Sequence, residues 1–403
     1  LKGIRSHFGS RFEVVYASTS DCLQRSSAMA APSGCPFAQI VKATAPVVAP
    51  HVRDIVDDFY PRMMKNNPET KAFFNPANQL EDPPKQRMAL ANAVVAYASN
   101  IDDLTPLLGA VEIISHKHCA LRVAPEHYPI VHDNLMASIA EKLGAAVTPE
   151  VGKGWSEAVL ALADILIQTE KKLYDQAADR SGGWRGAKDF KVSAVRMITE
   201  DCAEVTFVPA DDSSTPIDFT AGQFLTLHLK QEGATPRHYT VTSAPGKPFL
   251  QCCVKKLKGG FVSNLVHNFK EGDVVGLSPP FGTFAMGEKP AVLISAGIGA
   301  TPMKAFLDVH KSKVKMALHV DKSEATHPFR QEFLDSGVST HFHYTSQDGR
   351  PTAEDLVKLV EPHIADCDFY LCGPDSFLAS MKSALTSAGA SGVHVDVFGP
   401  ALA

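Results

Sequence analysis

The sequence predicts a multidomain protein: an all-α domain, then a small antiparallel β-barrel, then an α/β domain built on a doubly wound parallel sheet. Three observations predict it. Apolar residues recur at helical spacing through the first half. The period switches to two beyond Ser181-Gly182-Gly183. Near the end, short apolar strands alternate with helical patterns. A chain of 403 residues is also too long for one ordinary core.

The helical region runs from about Pro36 to Asp175. Val48, Val52, Ile55, Phe59 and Met63 recur at spacings of three and four, as do Trp155, Val159, Leu162, Leu166 and Leu173. Thr148-Pro149-Glu150 reads as a helix opening, because proline at the first helical position loses no needed N–H and threonine can cap. After the glycine break, Leu225, Leu227 and Leu229 alternate with Thr226, His228 and Lys230, the pattern of a half-buried strand. Short strands and turns continue to about Lys289, which suggests the barrel. Ala291–Ser295, Lys313–Val320 and Asp368–Cys372 then read as buried strands of a parallel sheet. The expected domains are 1–34 as a leader or disordered extension, 35–180, 185–289 and 290–403.

Composition narrows the function classes. Hydrophobic residues at 45% and charged residues at 21% describe a globular protein, and a net charge of −5 argues against a nucleic-acid partner. No apolar run approaches the roughly 20 residues of a membrane span. The eight cysteines form no Cys-x-x-Cys pair, so free thiols in a reducing compartment are expected rather than a zinc ribbon or iron–sulfur cluster. A cytoplasmic place follows. Residues 1–28 carry Lys2, Arg5, Arg11 and Arg25 against Glu13 and Asp21; an unstructured leader ahead of Met29 and a mitochondrial transit peptide both stay open. No obligate protein partner is evident.

From about Ala38 to Tyr174 the chain resembles the bacterial-type globins, on Asp58-Phe59-Tyr60-Pro61-Arg62-Met63, Asn67-Pro68-Glu69, Phe74-Asn75 and Ala96-Tyr97-Ala98-Ser99-Asn100. The resemblance implies a haem b site. It makes His118 the proximal iron ligand, preceded by Lys117, with Val111 and Ile114 on the same helix face. Glu170 and Tyr128 match the family's glutamate and tyrosine behind that histidine, a pairing that pushes electron density onto iron. Tyr60, Gln86 and Leu90 match the distal tyrosine, glutamine and leucine, and Phe74 would wedge against the haem. A phenol there can donate a hydrogen bond to a partly charged ligand. Pro61, inside the helical pattern, removes a backbone donor and crowds the preceding turn, so a local kink there could shift Tyr60.

From about Asp189 onward the chain resembles the ferredoxin-reductase-like family. Arg237-His238-Tyr239-Thr240 matches the family's flavin motif, following Gly222-Gln223-Phe224 and preceding Gly259-Gly260-Phe261-Val262-Ser263-Asn264. This implies FAD, with Arg237 on the pyrophosphate, Tyr239 against the ring, Thr240 near its reactive nitrogen, and Phe224, His238, Gly260 and Ser263 around it. The family often has tyrosine at Phe224, so one hydrogen bond to FAD is expected to be missing. Gly297-Ile298-Gly299-Ala300-Thr301-Pro302 follows a buried strand and opens a helix, where a pyrophosphate can approach the backbone. With Cys372-Gly373-Pro374 it matches the family's nicotinamide site and implies NADH or NADPH. Val397-Phe398-Gly399-Pro400 matches the stretch covering the flavin. Asp396 stands where the family usually has glutamate, and it is assigned with Lys117 to the tuning of electron transfer.

In this order on one chain, the motifs resemble those of the flavohaemoglobins. That family implies conversion of nitric oxide and dioxygen to nitrate, with electrons passing from NAD(P)H through FAD to haem. A haem-based gas sensor or oxygen-binding protein, and a general NAD(P)H diaphorase, are the alternatives.

Overall fold

The computed structural model describes residues 36–80 and 84–400. The leader, residues 1–34, lies outside the described residues. Two compact units form. One contains residues up to Ser115 together with Val123–Lys172; the other contains His116–Arg122 and the chain from Leu173 onward.

The first unit is helical. It contains the helices Pro36–Val48, Val52–Asn66, Lys85–Ser99 and His127–Leu143, and the helices Leu108–Leu121 and Pro149–Asp179 begin in it. The last opens as expected, with Thr148 Oγ1 accepting from the backbone N–H of Val151 at 3.3 Å. The expected apolar repeats form the core. Ile55, Phe59 and Met63 are buried with Tyr97, Ile139 and Trp155, and each such side chain contributes roughly 1.5–3 kcal/mol of burial. Buried polar groups are matched: Trp155 Nε1 donates to Thr44 Oγ1 at 2.9 Å, and the Tyr97 hydroxyl to the Ala158 carbonyl at 3.0 Å.

Pro61 does not break its helix. Val52–Asn66 runs continuously through it, and Tyr60 stays buried. The lost N–H and the crowded preceding turn are offset by the anchored face of Ile55, Phe59 and Met63.

In the second unit, six strands form an antiparallel sheet: β1 (Lys188–Met197), β2 (Cys202–Pro209), β3 (Phe224–His228), β4 (Arg237–Thr240), β5 (Leu250–Lys255) and β6 (Val274–Leu277). Their order is β4-β3-β6-β1-β2-β5. A bridge between Val241 and Cys252, just past β4, joins the two ends and closes the barrel. The half-buried reading of β3 needs correction. Thr226 is buried as fully as Leu225 and Leu227, because its outer face is also covered: Thr226 N–H bonds Ser278 Oγ at 2.9 Å and its hydroxyl bonds His238 Nδ1 at 2.7 Å.

The remaining strands are β7 (Ala291–Ala296), β8 (Val314–Asp321), β9 (Ser339–Tyr344), β10 (Asp368–Cys372) and β11 (Val393–Asp396), parallel, in the order β11-β10-β7-β8-β9. The strand expected at Lys313–Val320 begins and ends one residue later. Strand order reverses at β7, so the carboxyl ends of β7 and β10 flank the crevice where such sheets bind ligands.

Candidate functional sites

In the helical unit, the distal residues named from sequence come together. Tyr60 is buried, and its ring meets Phe74 edge-on at 5.5 Å. Leu90 packs on the same core. The Tyr60 hydroxyl donates to the Gln86 backbone carbonyl across 3.4 Å, a long bond that a better acceptor can displace. Burial pushes its phenol up to about 12, so it remains a donor at any working pH.

The helical unit also holds a buried carboxylate. Glu170 is 3% exposed despite its neighbours Lys171 and Lys172, and the Tyr128 hydroxyl donates to it. A buried glutamate kept by a specific donor is built for a purpose beyond solubility. Ser115 Oγ is also buried and has no hydrogen-bond partner among the described residues. A buried apolar core with one phenol donor, together with an orphaned buried hydroxyl on the helix that carries His118, fits an apolar, planar group such as haem.

His118 lies on the helix Leu108–Leu121, in the stretch that packs within the second unit. That stretch is held by its neighbours. His116 Nδ1 accepts the Gly282 N–H at 3.0 Å, and His228 Nε2 donates to the Ala120 carbonyl at 3.0 Å. Lys117 Nζ donates to the Gly399 carbonyl at 2.8 Å. Burial lowers the Lys117 pKa, and the charge of Asp396 opposes that shift. Burial likewise pushes Asp396 up to about 6 while Lys117 holds it down. The two residues assigned to tuning thus sense each other's charge.

The flavin motif occupies β4. The Arg237 guanidinium donates to Thr235 Oγ1 at 2.6 Å and to the Thr235 and Pro236 carbonyls. Half-buried, and steadied by these acceptors of its own loop, its guanidinium suits a pyrophosphate. Burial raises the Tyr239 phenol, and Thr240 is buried behind it. His238 is pushed down to about 3, first by burial and then by Lys117, His228 and Arg237, so it is neutral. Phe224 stacks obliquely on it at 4.6 Å, which gives the phenylalanine a packing role in place of a hydrogen bond. Gly260 precedes the short helix Phe261–His267. Ser263 is turned inward, accepting from the Leu257 N–H at 3.2 Å, and so shapes this loop. Val397 packs in the apolar core of the α/β domain, whereas Phe398 is 48% exposed, ahead of Gly399 and Pro400.

The phosphate turn divides its labour. Gly297 has φ +54° and open space where a Cβ would stand. Gly299 faces the end of β10, where a Cβ would meet the Cys372 carbonyl at 2.2 Å and the Gly373 nitrogen at 2.8 Å. Ile298 accepts the Thr301 hydroxyl at 2.9 Å, while Ala300, Thr301 and Pro302 are buried at the start of helix Ala300–His310. Cys372 is fully buried beside Gly373 and Pro374, its thiol pushed up by burial. The open approach at Gly297 fits a dinucleotide phosphate; Gly299 serves the fold.

Sequence reasoning passed over His116 and His228, because their partners are backbone atoms distant in sequence. It also missed the buried pair His319 and His327, stacked at 3.9 Å. The six described cysteines form no disulfide with one another. Among the described residues no group of acidic, histidine or cysteine side chains gathers to hold a metal ion, and no helix is long and apolar enough to cross a membrane.

Comparison with known proteins agrees with this geometry. Residues 57–166 match the globin family, and residues 189–286 match the oxidoreductase FAD-binding domain. The chain is 38% identical over 400 residues to a flavohemoprotein of Bordetella pertussis, covering 89% of this chain and 97% of that protein. It is 34% identical over 391 residues to a flavohemoprotein of Bacillus subtilis, covering 90% and 97%. A flavohemoglobin of Malassezia yamatoensis, solved with bound FAD and heme, superposes with a TM-score of 0.78 at 27% identity, covering 91% of this chain and 99% of that one. Fold and site together define an NAD(P)H-dependent oxidoreductase in which a haem globin is joined to an FAD-containing reductase. Its cofactors are haem b, FAD and NADH or NADPH. The chain belongs to the flavohemoprotein family.

Proposed function

We propose that this chain is a nitric oxide dioxygenase, consuming nitric oxide, dioxygen and NAD(P)H and forming nitrate. FAD and haem, when bound, would supply the redox chemistry: the exchange between hydride and single-electron transfer, and the chemistry of dioxygen. The protein binds and orients. His118 would hold the haem iron in this reading, with Glu170 and Tyr128 setting its basicity. Tyr60 donates a hydrogen bond toward the ligand position, where negative charge develops, while Gln86, Leu90 and Phe74 exclude water. Arg237 takes the FAD pyrophosphate; His238, Tyr239, Thr240, Phe224, Gly260 and Ser263 shape its bed, and Val397, Phe398, Gly399 and Pro400 cover it. Gly297 to Pro302 and Cys372 to Pro374 receive the nicotinamide nucleotide, with Gly299 in a packing role. Lys117 and Asp396 tune the flavin side. A cytoplasmic place is part of the reading, supported by described cysteines that form no disulfide with one another.

The observation that carries the reading is the buried Tyr128–Glu170 pair in a chain that also contains a reductase. A simple oxygen carrier needs no such carboxylate, and a diaphorase needs neither it nor Tyr60. The test measures nitrate against haem over time in the full-length protein, with nitric oxide, dioxygen and NAD(P)H. Many nitrates per haem are expected, and His118→Ala should abolish them. Stalling after about one turnover points instead to a sensor. Electron delivery to outside acceptors, with no nitrate, points to a diaphorase.

A further inference from the structure

Two histidines with no part in the chemistry above hold the backbone on either side of His118. His116 stands two residues before it and accepts the N–H of Gly282 through Nδ1 at 3.0 Å. Its ring also meets Phe281 edge-on at 6.0 Å. Ala120 stands two residues after His118, and its carbonyl accepts from His228 Nε2 at 3.0 Å. Both hydrogen bonds end in the flavin barrel. Phe281 bridges to Phe224 at the start of β3, and His228 ends the same strand. β3 in turn pairs along its length with β4, which carries Arg237, Tyr239 and Thr240.

The geometry also sets the tautomers. A backbone N–H can only donate, so His116 Nδ1 is an acceptor; a carbonyl can only accept, so His228 Nε2 carries a proton. Both rings are largely buried, where an unmet polar atom is costly. Each imidazole is therefore a one-way fastener between the His118 stretch and one end of β3.

We propose that His116 and His228 are positioning residues for electron transfer, fixing the backbone around His118 against the strand pair that bears the flavin motif. The proposal rests on the reading of His118 as the haem ligand and of the barrel as its electron source. Neither histidine touches a cofactor in this assignment, so haem binding and flavin reduction do not depend on them. The step that depends on them is the passage of electrons from flavin to haem.

The experiment follows both chromophores in the full-length holoprotein after anaerobic mixing with NADH in a stopped-flow spectrometer. His116→Leu and His228→Leu should leave flavin bleaching within about twofold of the unaltered protein and slow haem reduction about tenfold, the scale of losing one hydrogen bond. Conservative replacements should rescue. His116→Asn places an amide oxygen where Nδ1 stood, and His228→Gln places an amide N–H where Nε2 stood; each should return haem reduction to within about threefold. The exchanged amides, His116→Gln and His228→Asn, present their polar atoms at the wrong reach and should stay slow, which keeps the test intact if a leucine variant fails to fold. Unchanged haem reduction in the leucine variants, or equal slowing in all four amide variants, overturns the positioning role. If the unaltered protein bleaches its flavin yet never reduces haem, the dioxygenase reading fails and the positioning role falls with it. If it reduces both and the variants match it, only the positioning role falls.

Discussion

Gly299 and the carbonyl of Cys372 approach so closely that a Cβ on the glycine would lie 2.2 Å from the oxygen. The contact locks the phosphate turn after β7 onto the end of β10, the two strands that flank the nucleotide crevice. Gly299→Ala must push one of them away, at a cost of about 1–3 kcal/mol. A lower melting temperature and a raised KM for NAD(P)H are expected together. Gly297→Ala serves as the contrast. Its positive φ costs about 1–2 kcal/mol, but nothing stands in the way of the added carbon. A Gly299→Ala protein as stable as the parent would show that the turn and β10 move independently.

Removing the phenol behind the buried carboxylate should be felt twice. Tyr128→Phe deletes a hydrogen bond to Glu170 inside the helical unit, with an expected loss of about 1–3 kcal/mol of stability. Because the carboxylate is proposed to set the basicity of His118, the iron–histidine stretching frequency of the ferrous protein should shift as well. A stability loss with an unmoved frequency would make the pair purely structural.

Tyr60→Phe is expected to speed dioxygen release and lower nitrate turnover by about ten- to a hundredfold, the value of a hydrogen bond to a charged acceptor. The phenol is buried yet only loosely held, at 3.4 Å from the Gln86 carbonyl, so it is available to a ligand. Flash photolysis or stopped-flow dissociation measures the effect; an unchanged dissociation rate would mean that the hydroxyl points elsewhere in the working enzyme.

The α/β domain should be acid-labile. His319 and His327 stack at 3.9 Å. Ser295 and Asp321 bond His319, and the Tyr344 hydroxyl bonds His327 with Arg330 beside it. Burial, then the His319 and Arg330 charges, push His327 down to about 2 against the pull of Asp321. Burial also lowers His319, and Lys255 adds to this while Asp321 opposes it. The unfolded chain titrates near 6.5 and so binds protons that the folded state refuses. Stability is therefore complete above that pH and is lost as pH falls below it, by up to about 1.4 kcal/mol per pH unit for each histidine. His327→Phe should flatten this slope between about pH 6.5 and 4, measured by urea unfolding at each pH. An equal slope in both proteins would place the acid sensitivity elsewhere.

What could be read from the sequence alone was whatever is written in local periodicity and short spacing. The helical repeat of Ile55, Phe59 and Met63, the helix opening at Thr148-Pro149 and the strand Asp368–Cys372 all survive in the structure, because each depends on residues a few positions apart. The rest was settled by partners far away in the chain. Thr226 is buried because Ser278 and His238 close over it. Glu170 sits among lysines in sequence but is buried under Tyr128 in space. Pro61 leaves its helix whole because the opposite face is anchored in a core that the sequence around it does not contain. His116 and His228 acquire a role only through backbone atoms of Gly282 and Ala120. Burial and hydrogen bonding are properties of the neighbourhood that folding assembles, and a residue's own type and local pattern carry no record of it.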